Sequence, residues 1–174
     1  DETSKEKQRV IDIALYRGFE KRKGFEVGLE AINSLSAKYR LNCCIIQGSK
    51  RAKVPWNYPV YSELSDKDLA DILQAIKIFV YPSLFEGFGM PPLEAMACGC
   101  AVVTTRVGAI PEYASHMRDA CIVEPGSAVE IEQAIEYLLE HPNEMLRVQK
   151  NAVKTALNYT WAKTAQSFID FLEK

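Results

Sequence analysis

The 174-residue chain has two histidines, His116 and His141, and neither has a plausible catalytic partner close by in sequence. Chemistry that depends on a histidine base would have to borrow one from elsewhere. His141-Pro142 reads instead as a helix end, with a cation at the negative pole of the helix. No apolar run approaches the eighteen or so residues needed to cross a bilayer, and no signal peptide is expected. An excess of basic charge is missing too: 21 Lys and Arg stand against 23 Asp and Glu, and a phosphate-backbone binder needs a clustered basic face. Nucleic acid is therefore excluded as the main partner. Five cysteines give no metal-ligand spacing. Cys43 and Cys44 sit in an apolar run as small buried hydrophobes, and Cys98-Gly99-Cys100 without further ligands is a poor zinc site. These absences lead us to expect a soluble cytoplasmic protein, with peripheral association with a membrane left open.

What is present is a chain with 48% hydrophobic residues, enough to bury a core as one domain. Residues 1–9 are almost wholly polar and read as a lead-in or linker, with a single domain over residues 10–174. Short apolar runs alternate with helical spacing. Strands are expected at Val10–Tyr16, Leu41–Ile46, Pro59–Tyr61, Ile78–Tyr81, Ala101–Thr104 and Ala120–Val123. Helices are expected where apolar residues recur every three or four positions: Phe25 to Leu35, Leu64 to Ile76, a helix capped by Ser127, Asn143 to Asn158, and Thr160 to Leu172 with Trp161, Phe168, Ile169 and Leu172 as its apolar anchors; Ser49–Tyr58 and Thr105–Glu112 are expected as loops. This is the pattern of an α/β doubly wound domain with a largely parallel sheet and C-terminal helices. No Gly-x-Gly-x-x-Gly follows the first strand, so a dinucleotide-binding domain is disfavoured. Asp66-Lys-Asp68 is better explained as a helix start capped by Ser65 than as a metal site, because divalent oxygen sites want several convergent ligands.

The chain is organised around Ser83-Leu-Phe-Glu86-Gly-Phe-Gly89-Met-Pro-Pro-Leu-Glu94-Ala-Met-Ala-Cys-Gly99. Pro82 ends the preceding strand, Gly87 and Gly89 permit a tight loop, Pro91 and Pro92 open a helix, and Gly99 stops it. Such a strand, glycine loop and helix put a helix start at the carboxyl edge of the sheet, a place that suits an anion. Glu86 in the loop and Glu94 in the first helical turn frame it. Two readings of Glu94 stay open: it favours the positive end of the helix dipole, or it accepts hydrogen bonds from hydroxyls such as those of a ribose or hexose. A second cluster, Arg17, Lys21, Arg22 and Lys23, precedes the helix that starts near Phe25. It reads either as a solvated helix start or as cations placed against the dipole to receive an anion.

Glu86 and Glu94, with seven residues between them around Gly-Phe-Gly-Met-Pro, resemble the E-x7-E motif of the retaining GT-B glycosyltransferases of the family-4 (group 1) type. The flanks Phe79-Val-Tyr-Pro-Ser83 and Gly108-Ala-Ile-Pro-Glu112 agree, and the likeness is continuous over roughly residues 76 to 126. The resemblance implies a Rossmann-like half of a GT-B fold, the C-terminal half that binds a nucleoside-diphosphate sugar. It implies that Arg17 and Lys23 hold the diphosphate, with Lys23-Gly24 matching the family's Lys-Gly. The family spaces that pair by four residues, whereas five intervene here, and Arg22 would restore the spacing. The resemblance further implies that Glu94 takes the ribose hydroxyls. Glu86 would orient the transferred sugar as the catalytic carboxylate, while Gly87, Phe88, Gly89 and Met90 would offer backbone to sugar and phosphate. It implies no cofactor and no metal. The acceptor, a glycan or glycolipid of cell-surface polysaccharide synthesis, would be bound by an N-terminal domain that the chain lacks, so the chain alone should bind nucleotide and transfer sugar poorly. The competing expectation is a nucleotide-binding or scaffold domain without turnover.

Overall fold

A computed structural model describes residues 9–48 and 57–173. Most of the lead-in at 1–9 and of the loop expected at 49–58 lies outside them. The strands β1 (Ile11–Arg17), β2 (Cys43–Gln47), β3 (Val60–Ser62), β4 (Ile76–Tyr81), β5 (Ala101–Thr105) and β6 (Cys121–Val123) form one sheet in the order β3-β2-β1-β4-β5-β6. Every neighbouring pair is parallel. Strand order reverses between β1 and β4. The loops leaving their carboxyl ends diverge there and open a crevice, the place where ligands bind in open α/β sheets.

The apolar runs are continuous because helices cover both faces of the sheet. On one face Ile13, Leu15, Ile78, Val80 and Val103 pack with Phe25, Ile32 and Leu35 of α1 (Phe25–Lys38) and with Ile131, Ile135 and Leu138 of α5 (Ala128–Glu140). On the other, Ala14, Phe79, Tyr81 and Val102 meet Leu73 of α2 (Asp66–Gln74), Leu93 and Met96 of α3 (Met90–Ala97), and Ala152 of α6 (Pro142–Ala156). Each large side chain fully buried in this way stabilises the fold by about 1.5–3 kcal/mol before the entropy cost of ordering it. Ser65, Ser127 and Thr160 cap α2, α5 and α7 (Trp161–Leu172), accepting from the amides of Asp68, Glu130 and Lys163. Each cap is worth about 1 kcal/mol.

Three expectations need correction. The helix over Leu64 to Ile76 stops at Gln74, and Ile76 instead begins β4 beside Ile11. An apolar residue that closes a helical face fits the start of a buried strand equally well. The segment after β5, expected as a loop, contains a single helical turn, α4 (Ile110–Tyr113), with Pro111 in its first positions. Finally, the apolar residues of α7 do not anchor it: Trp161 is 82% exposed and Phe171 73%, and α7 buries none of its residues. Its amphipathic face turns away from both cores.

Candidate active site

Two loops meet over the crevice. After β1 the chain makes a 3-10 turn over Lys21–Lys23, and Gly24 follows in the left-handed region at φ 65°. A Cβ on Gly24 would stand 1.9 Å from the carbonyl oxygen of Pro82, so only glycine lets this turn lie against the end of β4. The contact is tied by the Leu84 amide, which donates to Arg22 O at 2.6 Å. Lys23 is thereby carried over the loop that follows β4.

There its ammonium meets Glu86, which is 8% exposed. Glu86 Oε1 accepts from Lys23 Nζ at 2.5 Å, from the Tyr81 hydroxyl at 2.7 Å and from Ser83 Oγ at 2.7 Å. Burial alone would raise the Glu86 pKa, but the hydrogen bonds from Lys23, Tyr81 and Ser83 outweigh it and hold the carboxyl below its ordinary value. It is ionised at neutral pH and acts only as an acceptor.

The glycine loop is braced from β5 and α4. Thr105 donates to Ser83 O, Thr104 Oγ1 to Tyr81 O at 3.1 Å, the Ala109 amide to Gly87 O at 2.8 Å, and the Tyr113 hydroxyl to Gly89 O at 3.0 Å. A Cβ on Gly108 would stand 2.4 Å from the carbonyl oxygens of both Glu86 and Gly87, so the two loops touch through backbone. Gly89, at φ 82°, opens α3 with Met90 as the first helical residue. Pro91 and Pro92 carry no N–H, so the backbone donors available at this helix start are those of Gly89, which is buried, and Met90, which is exposed. Gly87, Phe88 and Met90 are exposed there.

Glu94 falls in the second turn of α3, not the first, because the helix begins at Met90. It lines a cavity of about 170 Å³ with Tyr16, Ile46, Gln47, Glu63, Leu69 and Pro91. Partial burial raises its pKa, and the Asp66 carboxylate adds to the rise. A second cavity, of about 320 Å³, is lined by Tyr16, Gly18, Phe19, Glu20, Lys23 and Gly48. Tyr16 and Gly48 wall both cavities, which makes them neighbours along the carboxyl ends of β1 and β2. The Tyr16 hydroxyl is raised in pKa by burial and then by Glu94 and Glu86, so both carboxylates act on this one wall.

Lys23, Glu86 and Glu94 thus gather around Tyr16, whereas Arg17 lies differently. Its guanidinium donates to Gln47 Oε1 at 2.5 Å and sits 5.4 Å from the Phe25 ring centre, and it lines neither cavity. Arg22 is exposed, pairs with Glu20 and donates to Phe85 O at 3.1 Å. Sequence reasoning passed over Tyr16, Tyr81, Ser83, Thr105 and Tyr113. Only Ser83, three residues before Glu86, gave a local signal. Asp66 and Asp68 lie in the first turn of α2, and no group of three or more His, Cys, Asp or Glu converges on a metal position among the described residues.

The family model described as "Glycosyl transferases group 1" matches residues 2–155, and the chain belongs to that family. The MMP alpha-(1->4)-mannosyltransferase of Mycolicibacterium hassiacum is 35% identical over 115 residues, which are 65% of this chain and 28% of that protein. The serotype-specific mannosyltransferase WbdA of Escherichia coli is 36% identical over 107 residues, 62% of this chain and 13% of its own length. The chain therefore spans under a third of the curated relatives it matches. Among solved structures, the C-terminal domain of the group 1 glycosyl transferase LpcC from Francisella tularensis superposes with a TM-score of 0.71 at 24% identity, covering 87% of this chain and 86% of that one. Sucrose-phosphate synthase from Thermosynechococcus elongatus superposes with a TM-score of 0.79 at 22% identity, covering 95% of this chain and 45% of that one, so the Rossmann-like fold is shared with GT-B glycosyltransferases.

Proposed function

We propose that this member of the group 1 glycosyl transferases is the donor-binding half of a retaining enzyme that moves a hexose from a nucleoside diphosphate to a glycan or lipid-linked acceptor. The observation that carries the reading is the Lys23–Glu86 pair, 2.5 Å apart at the switch point, with Lys23 lining one of two cavities that share Tyr16 and Gly48 as walls. The nucleoside enters the cavity walled by Tyr16 and Glu94, with the Glu94 carboxylate accepting from ribose hydroxyls. The diphosphate lies toward Gly18 and Lys23, while the amides of Gly89 and Met90 and the loop at Gly87 and Phe88 face phosphate and sugar. Arg17 contributes charge at the end of β1. The names of the relatives favour mannose as the sugar.

In the reaction the bond between the anomeric carbon and the diphosphate oxygen breaks, and its electron pair leaves with the nucleoside diphosphate. The acceptor oxygen attacks from the same face and passes its proton to the departing phosphate. Lys23 and the open helix start stabilise the charge that develops there, with no metal required by this scheme. Glu86, ionised and immobile, orients the sugar through a hydroxyl. The acceptor is held by a second domain. The exposed apolar face of α7, with Trp161, Phe168 and Phe171, supports a docking role for that helix. Five cysteines without disulfides favour a reducing, cytoplasmic setting, and no helix among the described residues is long and apolar enough to cross a membrane.

Calorimetric titration with UDP, GDP, ADP and dTDP tests the site. One nucleotide should bind selectively, and Lys23→Ala and Glu94→Ala should weaken it. In the complete enzyme Glu86→Ala should abolish transfer and spare nucleotide binding. Binding indifferent to the Lys23 and Glu94 changes would overturn the assignment. Transfer undiminished in Glu86→Ala would remove the role given to that carboxylate.

A further inference from the structure

Tyr81 closes β4, and its side chain is buried with 1% of its surface exposed. It touches no ligand in the scheme above. Its hydroxyl nevertheless donates to Glu86 Oε1 at 2.7 Å and accepts from Lys23 Nζ at 2.9 Å. It therefore completes a triangle with the Lys23–Glu86 pair. Two further contacts hold it: the ring packs on Tyr16 with centroids 5.1 Å apart, and Thr104 donates to its carbonyl at 3.1 Å.

The triangle fixes which carboxylate oxygen remains for chemistry. Oε1 accepts from Lys23, Tyr81 and Ser83, which fills its capacity, while Oε2 has no hydrogen-bond partner among the described residues. A carboxylate with one oxygen clamped cannot rotate its other oxygen away without losing charge-assisted bonds. The phenol also joins the two halves of the site, because it bonds at once to the cation on the β1 side and the carboxylate on the β4 side. We propose that Tyr81 is a positioning residue for the transfer reaction, its hydroxyl aiming Glu86 Oε2 at the sugar and setting the distance between that carboxylate and the diphosphate-binding ammonium. The inference rests on the donor-site reading above.

The titratable groups that act on Glu86 or are acted on by it are Lys23 and Arg22 from the turn after β1, Tyr16 from β1, Tyr81 from β4 and Tyr113 from α4. Among these groups Glu86 is the one carboxylate, but Glu94, raised by burial, adds its own acid limb to activity, so the titration is assigned to Glu86 by observing its carboxyl directly. Removing a donor from Oε1 weakens the ionised form and moves the Glu86 limb to higher pH.

Tyr81→Phe keeps the ring and the direct Lys23–Glu86 contact. In the complete enzyme kcat should fall roughly ten- to a hundredfold, the loss of one hydrogen bond to a charged group, while the donor KM stays within about threefold. The acid limb of kcat/KM should move up. Carbon-13 NMR of the Glu86 carboxyl in this chain should show the same upward shift without any turnover. Ser83→Ala, which removes another donor from the same oxygen, should shift the titration in the same direction and guards against a Phe variant that fails to fold. An unmoved Glu86 titration in both variants, or a kcat within twofold of wild type in Tyr81→Phe, overturns the proposal. A wild-type enzyme that transfers no sugar, with the NMR shift still present, would sink the donor-site reading and leave the orientation of Glu86 by Tyr81 standing.

Discussion

Replacing Gly24 by alanine tests whether the turn after β1 is held in place by backbone contact. Two effects add. Gly24 sits at φ 65°, a conformation that costs an alanine roughly 1–2 kcal/mol. The new Cβ would stand 1.9 Å from Pro82 O and 2.9 Å from Pro82 C, main-chain atoms that cannot rotate aside. Forcing extra volume into a packed site costs about 1–3 kcal/mol. Together they predict a loss of about 2–5 kcal/mol, or a fall in Tm on the order of 5–20 °C for a domain of this size. Gly87→Ala is the internal control. A Cβ there meets nothing within 4 Å and its φ is not positive, so the change should stay within about 0.5 kcal/mol. Urea and thermal unfolding followed by circular dichroism measure both. Equal stabilities for the two variants would refute the argument that the turn and the end of β4 are locked through Gly24. If the larger loss is seen, nucleotide binding by Gly24→Ala should fall as well, since Lys23 rides on that turn.

Glu86→Gln should change how stability responds to acid. The folded Glu86 carboxyl lies below its ordinary pKa, so its stabilisation is full above the unfolded value and disappears as pH falls through the folded one. Urea midpoints between pH 7 and pH 3 should therefore fall more steeply for wild type than for Glu86→Gln; parallel curves would contradict this. Cys43 is pushed up to about 11 and Cys44, Cys100 and Cys121 to about 12 by burial, so these thiols should resist Ellman's reagent at neutral pH until urea unfolds the chain. Rapid reaction of more than one thiol in the native chain would disprove that burial. Trp161→Ala should change the unfolding free energy of this chain by less than about 0.5 kcal/mol, because the indole is 82% exposed. A larger loss would mean that α7 packs on the domain after all.

The parts legible in the sequence are those in which local chemistry and long-range packing agree. Pro82, Gly87, Gly89, the Pro91-Pro92 pair and Gly99 punctuate one strand, one loop and one helix, and α3 is bounded by Gly89 and Cys98 beside that last glycine. Five of the six strands were legible as short, largely buried apolar runs, since helices on both faces of the sheet remove the alternation of a half-exposed strand, while β3, a three-residue edge strand with Val60 exposed, was legible only as the short run Pro59–Tyr61. The boundary at Ile76 was not, because helix and buried strand accept the same residue. The burial of α7 was not either: periodicity reports that a helix has an apolar face, but what covers that face is a property of the assembled molecule. Within the site, Glu86 and Glu94 are singled out by their resemblance to the E-x7-E motif, and Lys23 by the Lys-Gly dipeptide of that same resemblance, against its usual spacing from Arg17. Tyr81, Thr105, Gly108 and Tyr113 could not be picked out, because their roles come from strands and loops that are neighbours only after the sheet has formed.

The Lys23–Glu86 pair is an unusual choice if stability were its purpose. Its side chains are 17% and 7% exposed, and withdrawing two charges from water costs several kcal/mol per ion before attraction and hydrogen bonds offset it. Apolar residues of similar volume would serve the fold at least as well. The pair also sits where the chain has arranged unusual support: a glycine at positive φ under Lys23, two hydroxyls on the same carboxylate oxygen, and a second glycine at Gly108 that lets a neighbouring loop touch the Glu86 carbonyl. Each of these features is costly or restrictive for folding, and each constrains the same two side chains. They converge at the one place in a doubly wound sheet where strand order reverses and ligands gain access. A fixed ammonium and an ionised carboxylate with one oxygen free stand side by side at that opening, and this is what the proposed donor site requires: under that proposal the first meets an anionic group and the second a hydroxyl-bearing group at a set separation, and a nucleoside-diphosphate sugar carries both.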